Sequence, residues 1–255
     1  MIGAIIGDIV GSVYEEANIK TKDFPLFQRA SRFTDDTVLT LALADAYLHE
    51  RDVAACFRRF CAWYPRAGYG ALFKSWAADP AAPPYNSFGN GAAMRVSAAA
   101  YVARSREAVL QLARDSAAVT HNHSEGIKGA EAIALATFLA RSGASKAEVM
   151  TSVADYTGYD LGFSLADIRD GYFFDATCQG SVPQALVAFR EGEDFEDVLR
   201  GAISIGGDSD TIACMAGSVA GAFYPIPAAI DREARGRLDE RLTGVLALFE
   251  GRFGT

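Results

Sequence analysis

Apolar residues recur along this chain at helical spacing. Ile2, Ile5, Ile6, Ile9, Val10 and Val13 occupy the i, i+3, i+4, i+7 positions of one helix face. Val53, Cys56, Phe57, Phe60, Cys61 and Tyr64 repeat the pattern behind Asp52 as a cap. Two further apolar segments, Val38 to Tyr47 and Ile212 to Val219, each follow a short acidic run. Periodicity predicts more helices over 92–103, 106–118, 126–141, 145–155, 183–190, 195–205, 209–223 and 228–250. There is no strand–helix alternation and no period-2 run, so the expected class is all-α. Pro and Gly mark loops at 64–70, 79–91, 157–164 and 175–182. Ser181-Val182-Pro183 reads as a helix start with Pro in the first turn. The segment 79–91 is the longest loop candidate, a size often associated with function. No polar linker divides the chain, so one compact domain over 1–255 is expected.

Small residues add a packing expectation. Gly3, Gly7 and Gly11 recur every fourth position in the first helix, and Gly217 and Gly221 do so near the C-terminal end. Such strips let two backbones approach closely. If these two helices pack together, Asp8 and Glu15 approach the acidic run at Asp208. Core packing without functional consequence accounts for the same strips.

Composition narrows the partners. Of 255 residues, 50% are hydrophobic, enough for a large core. The net charge is −8 with no basic run, which disfavours nucleic acid or an anionic membrane surface as partner. A diphosphate ligand would therefore need backbone amides or a metal. Cys56, Cys61, Cys178 and Cys214 show no C-x-x-C spacing and read as buried free thiols in a reducing compartment. Three scattered histidines make a poor zinc site. Met1 to Val13 is apolar but lacks a basic n-region and carries Asp8. No stretch reaches the roughly 18 apolar residues of a membrane span. A monomeric cytoplasmic protein is expected.

The candidate chemistry lies in the two acidic runs. Thr34-Asp35-Asp36-Thr37 and Asp208-Ser209-Asp210-Thr211 each open an apolar helix. Either run alone is an ordinary helix N-terminus, where Asp and Thr cap amides and complement the dipole. Two runs of the same composition allow a second reading, because carboxylate and hydroxyl oxygens are the donors that Mg²⁺ and Mn²⁺ prefer. Spacing alone does not choose between them. Glu15 sits just past the first helix, either as a solvated surface group or as a ligand or proton acceptor beside a cation. Its neighbour Glu16 is expected to face solvent. Gly89-Asn90-Gly91 precedes a helix and could cradle an anion, or form a plain turn. Phe88 could stack on a base or belong to the core. His121, in the polar patch Thr120 to Ser124, reads more readily as a structural histidine than as a ligand contact, and Gly68-Tyr69-Gly70 is a further flexible turn.

Taken in order, these pieces resemble the ADP-ribosylglycohydrolase family, which includes the dinitrogenase-reductase-activating glycohydrolases and the ADP-ribosyl-acceptor hydrolases. The resemblance runs through Gly7-Asp8-Ile9-Val10-Gly11-Ser12-Val13-Tyr14-Glu15, Thr34 to Thr37, Gly68 to Gly70, Gly89-Asn90-Gly91-Ala92-Ala93-Met94-Arg95, Thr120-His121 and Ser204 to Ala213. It implies an all-α domain holding two Mg²⁺ or Mn²⁺ ions. Thr34, Asp35 and Asp36 would bind one ion, Asp208 and Thr211 the other, and Asp210 would bridge them. Glu15 would reach the second ion or act on the attacking water, and Glu15, Asp35 and Asp36 form the expected catalytic set. Five carboxylates against two divalent cations leave such a centre nearly neutral. Ser87, Phe88, Gly89, Asn90 and Gly91 would hold the diphosphate and adenosine, with His121 and Gly70 nearby. The implied reaction is metal-dependent hydrolysis of the glycosidic bond between ADP-ribose and a protein side chain, releasing ADP-ribose. The Tyr-Glu ending of the first motif and the Ala-Ala-Met-Arg run look closer to the branch acting on O-linked ADP-ribose, including ADP-ribosylserine, while arginine linkage stays open. Alternatives are hydrolysis of another ADP-ribose derivative such as O-acetyl-ADP-ribose, and a non-catalytic binding or structural role.

Overall fold

The helix at the centre of this fold has no exposed residue from Ser209 to Ala220, and its partner is buried from Ile2 to Gly11. A helix that is apolar all round has to lie inside, with other helices on every side. The computed structural model describes residues 1–254 and shows how the rest arrange to do this. In chain order the helices are α1 (Ile2–Gly11), α2 (Asp35–His49), α3 (Val53–Trp63), α4 (Ala71–Ala78) and α5 (Gly91–Met94). Then come α6 (Ser97–Val102), α7 (Arg106–Ala118), α8 (Ser124–Arg141), α9 (Lys146–Thr157) and α10 (Leu165–Ile168). The last five are α11 (Cys178–Glu191), α12 (Phe195–Ile203), α13 (Ser209–Phe223), α14 (Ala228–Arg235) and α15 (Glu240–Phe253). The fold is all-α. An isolated bridge between Gly89 and Thr177 is the one β-type pairing among the described residues. No described helix is long and apolar enough to cross a membrane, and all four cysteines are free.

Helix α13 is the hub, touching α1, α2, α5, α8, α11 and α12. Its contact with α1 is backbone to backbone, as the glycine strips predict. A Cβ added to Gly3 would lie 2.2 Å from the Gly217 carbonyl oxygen, and one on Gly7 2.0 Å from that of Ala213. One on Gly11 would lie 2.4 Å from the Asp210 Cα. The strips therefore carry Asp8 and the chain leading to Glu15 alongside the start of α13.

Several element boundaries differ from the periodicity reading. Helix α11 starts at Cys178, capped by Thr177, so Pro183 lies inside the helix rather than in its first turn. It is tolerated because the carbonyl it leaves free, that of Gln179, belongs to an exposed residue. The segment 92–103 breaks at Arg95 and Val96, where the arginine side chain turns into the core. The segment 228–250 is two helices, because Asp239 caps the second by accepting from the Leu242 amide at 2.9 Å. Helix α1 ends at Gly11 rather than Val13. Helix α4 lies outside the predicted helices, and α10, with four residues, is too short to show a period.

Candidate active site

The N-termini of α2 and α13 meet beside α1, and this meeting brings the two acidic runs together. Asp8 ties the three elements. Its carboxylate accepts from the Thr34 amide at 2.9 Å, the Thr34 hydroxyl at 2.6 Å, the Thr37 amide at 3.1 Å and the Thr37 hydroxyl. Giving its proton to Asp8 leaves the Thr34 oxygen with lone pairs only for anything else. Thr211 donates to Asp36 at 3.4 Å, joining one run to the other. Asn90 donates to Asp208 at 2.7 Å, linking the run to the loop 87–91. The preceding turn needs glycine at two successive positions, since Gly206 and Gly207 have φ of +69° and +75°.

Two groups of carboxylate oxygens result, each with all its atoms within 4.8 Å of one another. Asp8, Asp36 and Asp210 form one; Glu15, Asp208 and Asp210 form the other. Asp210 belongs to both. Asp35 lines the cavity beside them without joining either group, and Thr34 and Thr211 line it too, each with its hydroxyl 3.4 Å from Asp36. Asp36 Oδ1 is buried with no hydrogen-bond partner. Glu15 is half-buried and Glu16 is exposed.

The electrostatics are those of an uncompensated anionic pocket. Burial pushes the carboxyls of Asp36 and Asp210 well above their ordinary range, and the charges of neighbouring aspartates add to it. Burial likewise raises Asp208, although its hydrogen bond from Asn90 opposes the shift. It raises Asp8 against four hydrogen bonds. Asp35 rises to about 7 through burial and then the charge of Asp8. Glu15 rises through burial and then Asp208, with Arg32 opposing. A dense set of hard oxygen donors, one of them orphaned, fits divalent cations, whose charge would reverse these shifts.

The carboxylates form one end of a cavity of about 410 Å³. Gly70, Ser87, Gly89, Asn90, Gly91 and His121 line it as well. The loop 87–91 is braced by the chain entering α11: the Asn90 amide donates to the Ala176 carbonyl at 2.8 Å, and the Cys178 amide to the Phe88 carbonyl at 3.0 Å. The Gly89 amide is taken by Ser87 Oγ at 3.1 Å. Among the described residues, the amides of Gly91 and Ala92 remain without such a bond. Phe88 is 46% exposed, and its ring lies 5.4 Å from that of His123 rather than along the cavity wall.

The cavity also contains residues that the sequence reading passed over. Tyr85 meets the His121 ring edge-on at 5.8 Å. Phe174 and Leu72, 58% and 64% exposed, rim the opening, and Arg32 stands on the Glu15 side. Arg95 lies fully buried on the wall. Burial lowers its guanidinium to about 10, which leaves it charged at neutrality. Signals for some of these exist in the chain. Phe173-Phe174 is an aromatic pair in a loop, and Arg95 closes the Ala-Ala-Met-Arg run.

Comparison with known proteins agrees with this geometry. The family profile described as ADP-ribosylglycohydrolase matches residues 1–253. ADP-ribosylhydrolase ARH3 of Homo sapiens is 30% identical, over 88% of this chain and 84% of its own length. ADP-ribosylarginine hydrolase Tri1 of Pseudomonas putida (strain GB-1) is 26% identical, over 89% of this chain and 70% of its own. A solved structure titled ADP-ribosylglycohydrolase-related protein complex superposes with a TM-score of 0.70 at 28% identity, covering 100% of this chain and 97% of that one. With its acidic centre, its loop 87–91 and a match along nearly its whole length, this chain belongs to the ADP-ribosylglycohydrolase family.

Proposed function

We propose that this enzyme hydrolyses the bond between the anomeric carbon of ADP-ribose and a protein side chain, using two Mg²⁺ or Mn²⁺ ions, and releases ADP-ribose. The observation that carries the reading is the pair of carboxylate groups sharing Asp210, placed at the end of a cavity whose other wall is the loop 87–91. Thr34, Asp35 and Asp36 would hold one ion, with Asp210 shared between the two. Asp208, Asp210, Thr211 and Glu15 would hold the other. Bound there, the ions would supply positive charge against the aspartates and Lewis acidity toward ribose hydroxyls and water.

The protein's own groups divide the remaining work. Asp8 keeps Thr34 and Thr37 in place, and Asn90 keeps Asp208 turned toward the centre. Glu15, half-buried beside Asp208, would bind the second ion in the resting state or take a proton from the attacking water. The free amides of Gly91 and Ala92, with Ser87 and His121, would meet the diphosphate. Phe88, exposed at the outer edge of the loop, is available to a base reaching out of the cavity. With the diphosphate on the loop 87–91, the anomeric carbon would reach the carboxylate end, where positioning and preorganised charge would favour an oxocarbenium-like state.

The rim favours O-linked acceptors over arginine. A guanidinium acceptor needs an anionic partner outside the metal centre, yet the rim offers Arg32, Leu72 and Phe174. Matched ADP-ribosylserine and ADP-ribosylarginine peptides, assayed with Mg²⁺ and with EDTA, test both statements. Metal-dependent release of ADP-ribose from the serine peptide is expected. Release from the arginine peptide alone would reverse the choice of acceptor, and equal release in EDTA would end the metal reading. O-acetyl-ADP-ribose, assayed alongside, tests the small-molecule alternative.

Metal removal has a second readout in stability. In EDTA the raised carboxylates mean that the folded chain holds protons near neutrality that the unfolded chain has released. The contribution of Asp35 is complete below its unfolded value of about 4 and is lost as pH rises through about 7. The metal-free melting temperature should therefore fall as pH rises from about 4 to about 7. Mg²⁺ at a hundredfold excess over its Kd adds about 2.7 kcal/mol and should flatten that slope. A melting curve indifferent to both metal and pH would count against the charged centre.

A further inference from the structure

Arg95 is the largest fully buried side chain in the fold. Its guanidinium carbon lies 4.2 Å above the Phe57 ring, and Nε and Nη1 have no hydrogen-bond partner. Only Nη2 is engaged, donating to the Ser116 carbonyl at 3.3 Å and to Thr120 Oγ1 at 2.7 Å. The same Thr120 oxygen lies 2.7 Å from His121 Nδ1.

Proton counting along this chain points to one tautomer. A guanidinium can only donate, so Thr120 accepts from Arg95. The threonine hydroxyl has one proton to give, and although Tyr85 also bonds this hydroxyl, His121 Nδ1 at 2.7 Å is the acceptor we assign to it. Nδ1 is then the bare nitrogen, and the imidazole proton sits on Nε2. Nε2 points at the loop 87–91: it lies 3.0 Å from where a Cβ on Gly91 would be, and 3.8 Å from one on Gly89. The ring is confined by Tyr85 edge-on at 5.8 Å and by the close approach of Gly126 to His121 Cβ.

We propose that Arg95 and Thr120 are positioning residues that fix His121 as the Nε2–H tautomer, a neutral donor facing an anionic oxygen held by the loop 87–91. The ligand half of this inference rests on the functional reading above, in which that oxygen belongs to a diphosphate. The opposite tautomer would turn a lone pair toward the anion and repel it. Glycine at 91 leaves the space that the imidazole edge needs.

Protein carrying ¹⁵N-histidine holds three imidazoles, those of His49, His121 and His123. The His121 signals are the ones missing from His121→Asn. In long-range ¹H–¹⁵N spectra at neutral pH, ligand-free wild-type protein is expected to show His121 protonated at Nε2 and bare at Nδ1. Thr120→Val should release that choice, giving Nδ1–H or an averaged pair of signals. It should also raise the calorimetric Kd for ADP-ribose roughly 10-fold, the usual scale for losing an orienting hydrogen bond. Thr120→Ser should restore both. Wild-type His121 protonated at Nδ1 overturns the inference, and that arm needs neither variant nor ligand. Thr120→Val with an unchanged tautomer and unchanged affinity overturns it too. Wild-type protein with the Nε2–H tautomer but no ADP-ribose affinity would overturn the functional reading and the ligand-facing half, while the Arg95–Thr120 device would stand.

Discussion

Asp210→Asn is expected to lower kcat/KM by on the order of 10³-fold or more while leaving the fold intact. Asp210 is the one carboxylate common to both groups of oxygens, so neutralising it weakens both halves of the proposed metal centre at once. The change is nearly isosteric, and an asparagine carbonyl can still accept from the Thr211 amide, as Asp210 Oδ1 does at 2.9 Å. Without metal, the variant should melt higher than wild type. It removes a buried charge that Asp36 and Asp208 oppose. Loss of activity with a raised metal-free melting temperature is the signature of a centre built for cations. Asp208→Asn should behave in the same direction, with Asn90 still able to donate to the new carbonyl. Asp35→Asn should also remove activity by the proposed ligand set, although Asp35 stands outside both groups. Full activity of Asp210→Asn under controlled metal would refute the dinuclear reading.

Gly7→Ala should cost about 3 kcal/mol of stability, or roughly 6–12 °C in melting temperature for a chain of this size. The added Cβ would stand 2.0 Å from the Ala213 carbonyl oxygen, 2.4 Å from its carbon and 2.7 Å from the Cys214 nitrogen. These are backbone atoms inside α13, so no rotamer change relieves the clash and the two helices must separate. Separation also moves Asp8 away from Thr34 and Thr37, so activity should fall further than stability alone accounts for. Gly244→Ala is the control. That glycine lies within α15 with nothing within 4 Å of a new Cβ, and alanine there should stabilise by up to about 1 kcal/mol. Equal melting temperatures for Gly7→Ala and wild type would show that the α1–α13 contact is softer than its geometry implies.

Much of this architecture was legible in the chain because it rests on local chemistry. Apolar spacing identified the helical class, and the four-residue glycine strips pointed to a close contact between α1 and α13. Boundaries failed where a tertiary contact overrode the periodicity. The helix predicted over 92–103 breaks because Arg95 turns inward onto Phe57 and Thr120, residues distant in sequence. The start of α11 was hidden by Pro183, whose cost depends on whether the Gln179 carbonyl can reach water.

The candidate site divides the same way. Two Asp-Thr runs at helix starts were readable as oxygen donors, since their chemistry is local. Their convergence, with Asp210 in both groups and Asp8 clamping Thr34 and Thr37, arises from helices far apart in sequence packing on α1. The loop 87–91 was visible as glycine and asparagine, but its bracing by Ala176 and Cys178 was not. Nor did the chain show that Phe88 turns outward while Tyr85 and Phe174 line or rim the cavity. By itself the sequence determined which groups could carry charge, cap a helix or admit a close backbone, because those properties travel with the residue. Only the tertiary structure decided which of these groups share one desolvated space, since burial and mutual distance turn six ordinary carboxylates into a centre that calls for cations.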